Sequence, residues 1–429
     1  MAAAVPLLVL LLALLFGVPI AVALAGSGML GIYMITGDVS RVLAIVSLTP
    51  FSSVADYALT TIPMFILMAY FSASSGLARD LYQAAANWLS HIRGGLAIAT
   101  VFACGIFGAM SGASVAAASV MSKIAMPEMR RHGYSDELAA GAIGIGATLD
   151  ILIPPSIAMV IYGIATQTSI GKLLIAGIVP GIIVGILLAL MVYLWVVVSP
   201  KHAPTTFRVP SKERWESVRR IWPSLLLIFI VLVLLYTGVA TPTEVGALGA
   251  LLAAIIGAAF GRLTFADAVD ALKSTIRTSG MIFLILIGAT IFGYFMTLSR
   301  IPQDVVTVVI AMNLNRWVVV SGIVVAYFVI SMFMDEIPLL LLTLQLTFPL
   351  ITSLGFDPIW FGVLSMMMVS MGLVFPPVGL IAFVVSATAD VDLMKVYKGT
   401  SILMMSIVIT TILLMIFPQI ALWLPATMR

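Results

Sequence analysis

The residues able to do chemistry in this chain stand at interruptions of otherwise apolar runs. Ser111-Gly112-Ala113-Ser114 places two hydroxyls at one such point, and Asp335-Glu336-Ile337-Pro338 places two carboxyls at another. Pro154-Pro155 and Pro376-Pro377 interrupt two further runs, and Asp150 stands four positions before the first pair. The chemistry on offer is ion binding. A proline inside a helix removes an N–H and its ring blocks the carbonyl one turn earlier, which leaves carbonyl oxygens free for a cation. The start of a half-helix carries partial positive charge and holds an anion. Blander roles stand beside these. Ser111, Gly112 and Ser114 are small enough simply to pack helices. Glu336 can face an aqueous vestibule, and Asp150 can cap a turn or pair with Lys123. Met366-Met367-Met368 reads as packing rather than copper ligation, because Cys or His does not accompany it. Tyr162 and Trp360 read as interface anchors.

Composition says what surrounds these residues. Of 429 residues, 62% are hydrophobic and 9% charged, against roughly 45–50% and about 25% in soluble domains. A soluble enzyme and a disordered chain are excluded, and a multi-pass membrane protein is expected. The single cysteine, Cys104, excludes a disulfide framework and an iron–sulfur cluster. His91, His132 and His202 all lie in polar stretches, so haem or zinc within the membrane is not expected. The net charge of +3 does not suggest nucleic acid. Nothing resembles the GxxxxGK[ST] nucleotide loop, so an ion gradient is the natural energy source.

A spanning helix takes about 20 apolar residues. Spans are expected at 5–25, 27–47 and 57–76, the first retained rather than cleaved, followed by a polar arm. Residues 94–126 are broken at 111–114, with arms too short to cross, which is the pattern of a re-entrant hairpin; 138–166 is broken at the Pro-Pro pair, and 170–198 follows. The second half repeats the plan: spans within 222–298, a hairpin 317–349, a broken helix 358–388 and a last span within 399–425. Residues 1–200 and 222–429 are therefore read as two repeats, with scaffold helices at 1–76 and 222–298 and a hydrophilic connector at 201–221. Pro127 and Pro349, Gly133 and Gly355, and Pro154 and Pro376 are each 222 positions apart (349 − 127, 355 − 133, 376 − 154).

The loops 127–137 and 199–221 are rich in arginine, which places them in the cytoplasm. Counting crossings from there puts 350–358, the mate of 127–137, on the other side, and both termini in the periplasm. The repeats are thus inverted. Inverted repeats with broken helices are the signature of secondary transporters, because irregular backbone survives at membrane depth only where protein buries it or it lines a cavity.

The stretches Phe107 to Ser114, Pro127 to Tyr134, Ile153 to Ser156 and Gly171 to Gly181 resemble the large membrane subunit of tripartite ATP-independent periplasmic (TRAP) transporters. So do Thr241 to Glu244, Met332 to Asp335, Gly362 and Pro376 to Gly379, and the resemblance covers essentially the whole chain. It implies an all-α elevator-type transporter of the bacterial inner membrane, not an enzyme. It implies import of a small organic acid coupled to sodium, with no other cofactor. It implies two partners, a small four-helix membrane subunit on a separate chain and a periplasmic substrate-binding protein. Carried over by position, one sodium site involves Ser111, Gly112, Ser114, Thr148 and the backbone at Ile153. The other involves Met334, Asp335, Ser370, Gly372 and the backbone at Phe375. The substrate is expected between them, at Ala113, Ser156, Glu336 and Gly379. The chain departs from the family at Ala113, where serine is usual, and at Glu336-Ile337-Pro338, where glycine and small residues are usual. The added acids at 150 and 336 would suit a substrate with a cationic group, or a proton.

Two other readings fit the same residues. One is a stand-alone divalent-anion symporter, which would work without a binding protein. The other is an intramembrane enzyme using Asp150, Asp335 or Glu336 as acid and base, which needs two acids on one site. The inverted symmetry is expected to keep these acids in different half-sites.

Overall fold

Many helices in this chain start at a capping Ser, Thr, Asp or Asn side chain, and Gly37, Gly112 and Gly238 end three of them in the left-handed conformation. The computed structural model describes residues 4–428 apart from 113, 204, 205 and 207, and every regular element among them is helical. The first repeat begins with α1 (Ala4–Leu15), α2 (Ile20–Thr36), α3 (Val39–Val54) and α4 (Thr61–Ser74). The span expected at 5–25 is therefore two helices. Gly17 adopts φ 75° and Pro19 is the N-cap of α2, so the chain turns where hydropathy alone is continuous. An amphipathic arm, α5 (Leu77–Leu89), leads to α6 (Gly95–Ser111) and α7 (Ser114–Arg131), the two arms of the first hairpin. Helix α7 runs through Pro127 and past the expected end at 126, because Glu128 to Arg131 are good helix formers.

The first broken helix is α8 (Asp136–Ala147), a 3-10 turn at Thr148–Ile151, an irregular segment through the Pro-Pro pair, and α9 (Ile157–Thr166). Then follow α10 (Ile170–Ala176) and α11 (Ile178–Val198). The second repeat is α12 (Ser211–Thr237), α13 (Pro242–Ala259), α14 (Phe265–Ser299), α15 (Ile301–Ala311), the hairpin α16 (Arg316–Ser331) and α17 (Glu336–Ser353), the broken helix α18 (Pro358–Gly372) and α19 (Leu380–Ala389), then α20 (Leu393–Ile416) and α21 (Gln419–Ala426). Helix α12 takes in the second half of the connector, and α14 unites the arm expected at 264–278 with the span after it. Among the described residues seven helical stretches are long and apolar enough to cross a membrane.

The 222-residue offset extends well beyond the prolines. α7 and α17 begin at 114 and 336, and α8 and α18 at 136 and 358. Ser135 caps α8 by accepting from the Leu138 amide, and its mate Asp357 caps α18 by accepting from the amides of Ile359 and Trp360. Both Pro-Pro bonds are cis. Packing obeys the same exchange. α2 lies along α14, and their mates α13 and α4 lie along each other, with the Thr61 and Thr243 hydroxyls 2.6 Å apart. The α2–α14 approach depends on a small residue, since a Cβ at Gly28 would come within 2.8 Å of Phe292 Cα. The chain is an all-α multi-pass membrane protein of two inverted repeats, each with a helical hairpin and a Pro-Pro-broken helix.

Candidate functional site

Each hairpin turn packs on the broken helix of its own repeat. In the first, Ser111 ends α6 and its hydroxyl donates to the Gly108 carbonyl at 3.3 Å. Gly112 takes φ 58°, a left-handed conformation open to glycine, and its amide bonds Gly108 O at 2.6 Å. A Cβ on Gly112 would touch Ile157, just past Pro154-Pro155. Ala113 lies outside the described residues. Ser114 opens α7 and its hydroxyl donates to Asp150 Oδ1 at 2.5 Å, with Ser114 3% and Asp150 1% exposed. Asp150 thus bonds the hairpin turn and not Lys123. Thr148 begins the 3-10 turn and donates to Ile145 O at 2.8 Å. The Ile153 amide bonds Leu149 O at 3.1 Å, and the Ser156 hydroxyl caps α9 by accepting from the Met159 amide.

In the second repeat, Met334 lies in the hairpin turn, and Asp335 caps α17 by accepting from the Glu336 amide at 2.9 Å. Glu336 is the first residue of α17, 6% exposed, and its Oε2 has no hydrogen-bond partner among the described residues. Gly372 ends α18 so close to α16 that a Cβ there would fall on Ser331. The Phe375 amide bonds Gly372 O at 3.2 Å, and its ring packs on Phe328. Gly379 donates its amide to Met332 O at 3.0 Å, which joins the end of α16 to the segment after the second Pro-Pro pair.

The two half-sites meet. Ser370 donates to Met366 O at 2.9 Å and lies 3.5 Å from Thr148 O, one broken helix against the other. Asp150 lies near enough to Asp335 and Glu336 for their charges to be felt across the interface of the repeats, while Asp150 bonds Ser114 and Asp335 bonds the Glu336 amide, each within its own half. The hairpins turn at the depth where the broken helices unwind, and the interface that results brings their starts together. Among the described residues no three His, Cys, Asp or Glu groups are placed to hold a metal ion between them. What the region offers instead is hard oxygen: hydroxyls, carbonyls and a carboxyl oxygen without a partner.

Sequence reasoning missed the residues that close the second break. Thr400 of α20 donates to Val374 O at 2.9 Å, and Tyr397 donates to Val378 O at 2.7 Å and Pro377 O at 3.1 Å. The mates of these hydroxyl residues in the first repeat are Ile178 and Ile175, which cannot donate. The two breaks are therefore built differently, and a search for matching motifs passes over the difference.

The far end of α8 is held by charge. Arg130 Nε donates to Asp136 Oδ1 at 2.8 Å, and this bond holds the Asp136 carboxyl below the usual carboxylate range. Lys398 pairs with Glu137 at 2.9 Å. The Ser135 hydroxyl lies 2.7 Å from His202 Nδ1, and burial pushes the His202 imidazole below its ordinary value.

Residues 7–420 match the family model described as tripartite ATP-independent periplasmic transporter, DctM component. The chain is 36% identical to the C4-dicarboxylate TRAP transporter large permease protein DctM of Pseudomonas aeruginosa, over 93% of this chain and 92% of that protein. It is 32% identical to the ectoine TRAP transporter large permease protein TeaC of Halomonas elongata, over 96% of each. The solved structure of the Alcanivorax borkumensis YdaH transporter superposes with a TM-score of 0.67 over 90% of both chains at 13% identity, which shows a shared fold. The protein is a multi-pass component of the bacterial inner membrane. The chain belongs to the DctM component family of tripartite ATP-independent periplasmic transporters.

Proposed function

We propose that this chain is the membrane subunit that moves a small organic acid inward, coupled to a sodium gradient, by an elevator motion. The observation that carries this is the meeting of two hairpin turns and two broken helices around Ser114, Asp150, Ser370 and Glu336. Sodium would be held by the oxygens at Ser111, Gly112, Ser114, Thr148 and Ile153 in one half and at Met334, Asp335, Ser370, Gly372 and Phe375 in the other. The buried, unpartnered Glu336 Oε2 fits a region that takes up a cation, since an ionised carboxyl left uncompensated in such a place costs several kcal/mol. The carboxylate would lie near Ala113, Ser156, Glu336 and Gly379, held by helix starts, hydroxyls and amides. Helices within 1–76 and 222–298 would be the fixed scaffold, and the hairpins with the broken helices the moving body. The loops 127–137 and 199–221 would face the cytoplasm, and both termini the periplasm.

As a DctM component the chain works with other subunits, which we take to be a small four-helix membrane protein and a periplasmic binding protein. Relatives named for a C4-dicarboxylate and for ectoine differ in substrate, so the acid stays at the level of class. Uptake of candidate acids into proteoliposomes holding all three components tests the reading. Uptake should need an inward sodium gradient and the binding protein. Uptake that ignores sodium removes the coupling, and uptake without the binding protein favours a stand-alone symporter.

A further inference from the structure

The two repeats enclose matching cavities of nearly equal size and opposite chemistry. One, of about 560 Å³, lies between the arm α5 and the hairpin helix α7. The other, of about 570 Å³, lies along both hairpin helices, α16 and α17, and is bounded by α1, α14 and the arm α15. Four lining positions correspond at the 222-residue offset, Gln83 with Val305, Asn87 with Val309, Ile124 with Leu346, and Glu128 with Leu350, whereas the mates of Arg79, Lys123 and Arg131 (Ile301, Gln345 and Ser353) lie outside the second lining. The fold leaves a gap beside each hairpin, apolar in the second repeat and polar in the first. The first cavity carries Arg79, Lys123 and Arg131 against a single acid, Glu128.

The partners of these cations decide what the cavity can do. Arg131 lies 3.9 Å from Glu128, so that pair offsets itself. Arg79 and Lys123 make no ion pair or side-chain hydrogen bond among the described residues. Tyr82, on the same wall, is 2% exposed, and its hydroxyl makes no hydrogen bond of ordinary geometry among the described residues, with the Thr100 hydroxyl in its vicinity. A buried hydroxyl without a partner is costly. Here it lines a polar cavity beside two free cations, with two amide side chains at hand.

We propose that the cavity between α5 and α7 binds an oxyanion, a phosphate or carboxylate group, through Arg79, Lys123 and the Tyr82 hydroxyl. Guanidinium and ammonium donors to such a group make charge-assisted bonds. The anion would join the arm to the hairpin. It comes either from an anionic lipid headgroup at the membrane surface or from a dissolved acid. The inference does not depend on sodium coupling.

The test uses the full chain in nanodiscs of phosphatidylcholine, with and without phosphatidylglycerol, titrated with inorganic phosphate and with succinate, while the unfolding midpoint is read. A saturable rise with a soluble anion in phosphatidylcholine assigns a dissolved ligand. A midpoint already raised by phosphatidylglycerol, with no further rise on titration, assigns a lipid headgroup. Either effect should weaken by about tenfold or more in apparent affinity in the double variant Arg79→Gln/Lys123→Gln, since each lost bond to a charged group is worth about that much. Tyr82→Phe, which removes an unpartnered buried hydroxyl, should hold or raise the ligand-free midpoint and weaken the effect less, which separates lost binding from lost folding. Lys273→Gln, on an exposed helix face outside the cavity lining, should change nothing. The proposal fails if no anion or lipid shifts the midpoint, or if the shift is the same in the double variant.

Discussion

Ser370 lies with its hydroxyl oxygen 3.5 Å from the carbonyl of Thr148, its own counterpart 222 residues earlier. Two residues related by a two-fold exchange can touch only close to the axis of that exchange. The unwound parts of both broken helices therefore stand side by side at the centre of the molecule, and both hairpin turns close on that centre. A local change there reaches both half-sites.

Ser114→Ala removes the donor to a buried Asp150 oxygen. Leaving such an oxygen unpaired costs about 1–3 kcal/mol. On the proposed reading it also takes one oxygen from a sodium site. The unfolding midpoint of the purified chain should fall in choline buffer, and the sodium needed to raise it should increase by about tenfold, the equivalent of about 1.4 kcal/mol. An unchanged sodium requirement would remove Ser114 from the ligand set.

Glu336→Gln keeps the shape of a side chain whose Oε2 has no partner and takes away its capacity for charge. Removing an uncompensated buried carboxyl is neutral or stabilising. The unfolding midpoint should hold or rise, whereas Asp335→Ala, which deletes the cap of α17, should cost about 1 kcal/mol. A fall for Glu336→Gln would mean that Glu336 binds something that stabilises the fold.

Gly372→Ala puts a Cβ on Ser331, at both its hydroxyl and its backbone. Overpacking of this kind typically costs about 1–3 kcal/mol. The variant should unfold at lower temperature, and Ser331→Gly in the same chain should restore part of the loss, since it removes the hydroxyl but not the backbone. Equal midpoints for the single and double variants would mean that α16 moves aside without resistance.

Much of this arrangement was legible in the residues. The breaks at 111–114, 154–155 and 376–377 mark a hairpin turn and the unwound segments, because proline and glycine act on the backbone locally, whereas the second hairpin turns at 332–335 and Glu336, Ile337 and Pro338, expected in the break, open α17, where a first-turn proline is tolerated. The offset of 222 carried the repeat from Gly133 and Gly355 out to whole helices. Ser114, chosen for the first half-site, bonds Asp150, which the residues alone read as capping a turn or pairing with Lys123. Three things were not legible. The turn at Gly17 and Pro19 is hidden in a continuous apolar run, since hydropathy averages over it. The meeting of Ser370 with Thr148 O is a contact between repeats, and symmetry in sequence does not say how far the halves lie apart. The closure of the second break by Thr400 and Tyr397 has no counterpart in the first repeat, so no repeat comparison finds it.

That closure predicts an asymmetry. Thr400→Val strands the Val374 carbonyl in a buried position, at a cost of about 1–3 kcal/mol. Ile178→Val, at the corresponding position of the first repeat, loses one methylene and no hydrogen bond, a change of about 0.5–1.5 kcal/mol. Hydrogen exchange should show the loss of protection concentrated at 373–381 for Thr400→Val, where the Ile381 amide bonds Leu373 O, and absent there for Ile178→Val. Equal losses would make the hydroxyl incidental.

The connector carries a pH dependence whose sign follows from His202. Its backbone carbonyl accepts from the Ser135 amide at 2.9 Å, and its Nδ1 lies 2.7 Å from the Ser135 hydroxyl. Burial outweighs the opposing pull of Glu137, with Lys201 and Lys398 acting in the same direction as burial, so the docked imidazole titrates below its ordinary 6.5. A detached connector, with an ordinary imidazole, therefore takes up a proton more readily than the docked one. The stabilisation is present in full above about pH 6.5 and is lost as pH falls from there through the docked value. Protection of the Ser135 amide, corrected for intrinsic exchange, should drop as pH is lowered from about 7 to about 5, where an ordinary histidine charges. His202→Asn should remove that dependence and leave protection level across the range. Protection that instead rises on acidification would mean that the Glu137 attraction prevails and that a charged His202 holds the connector down.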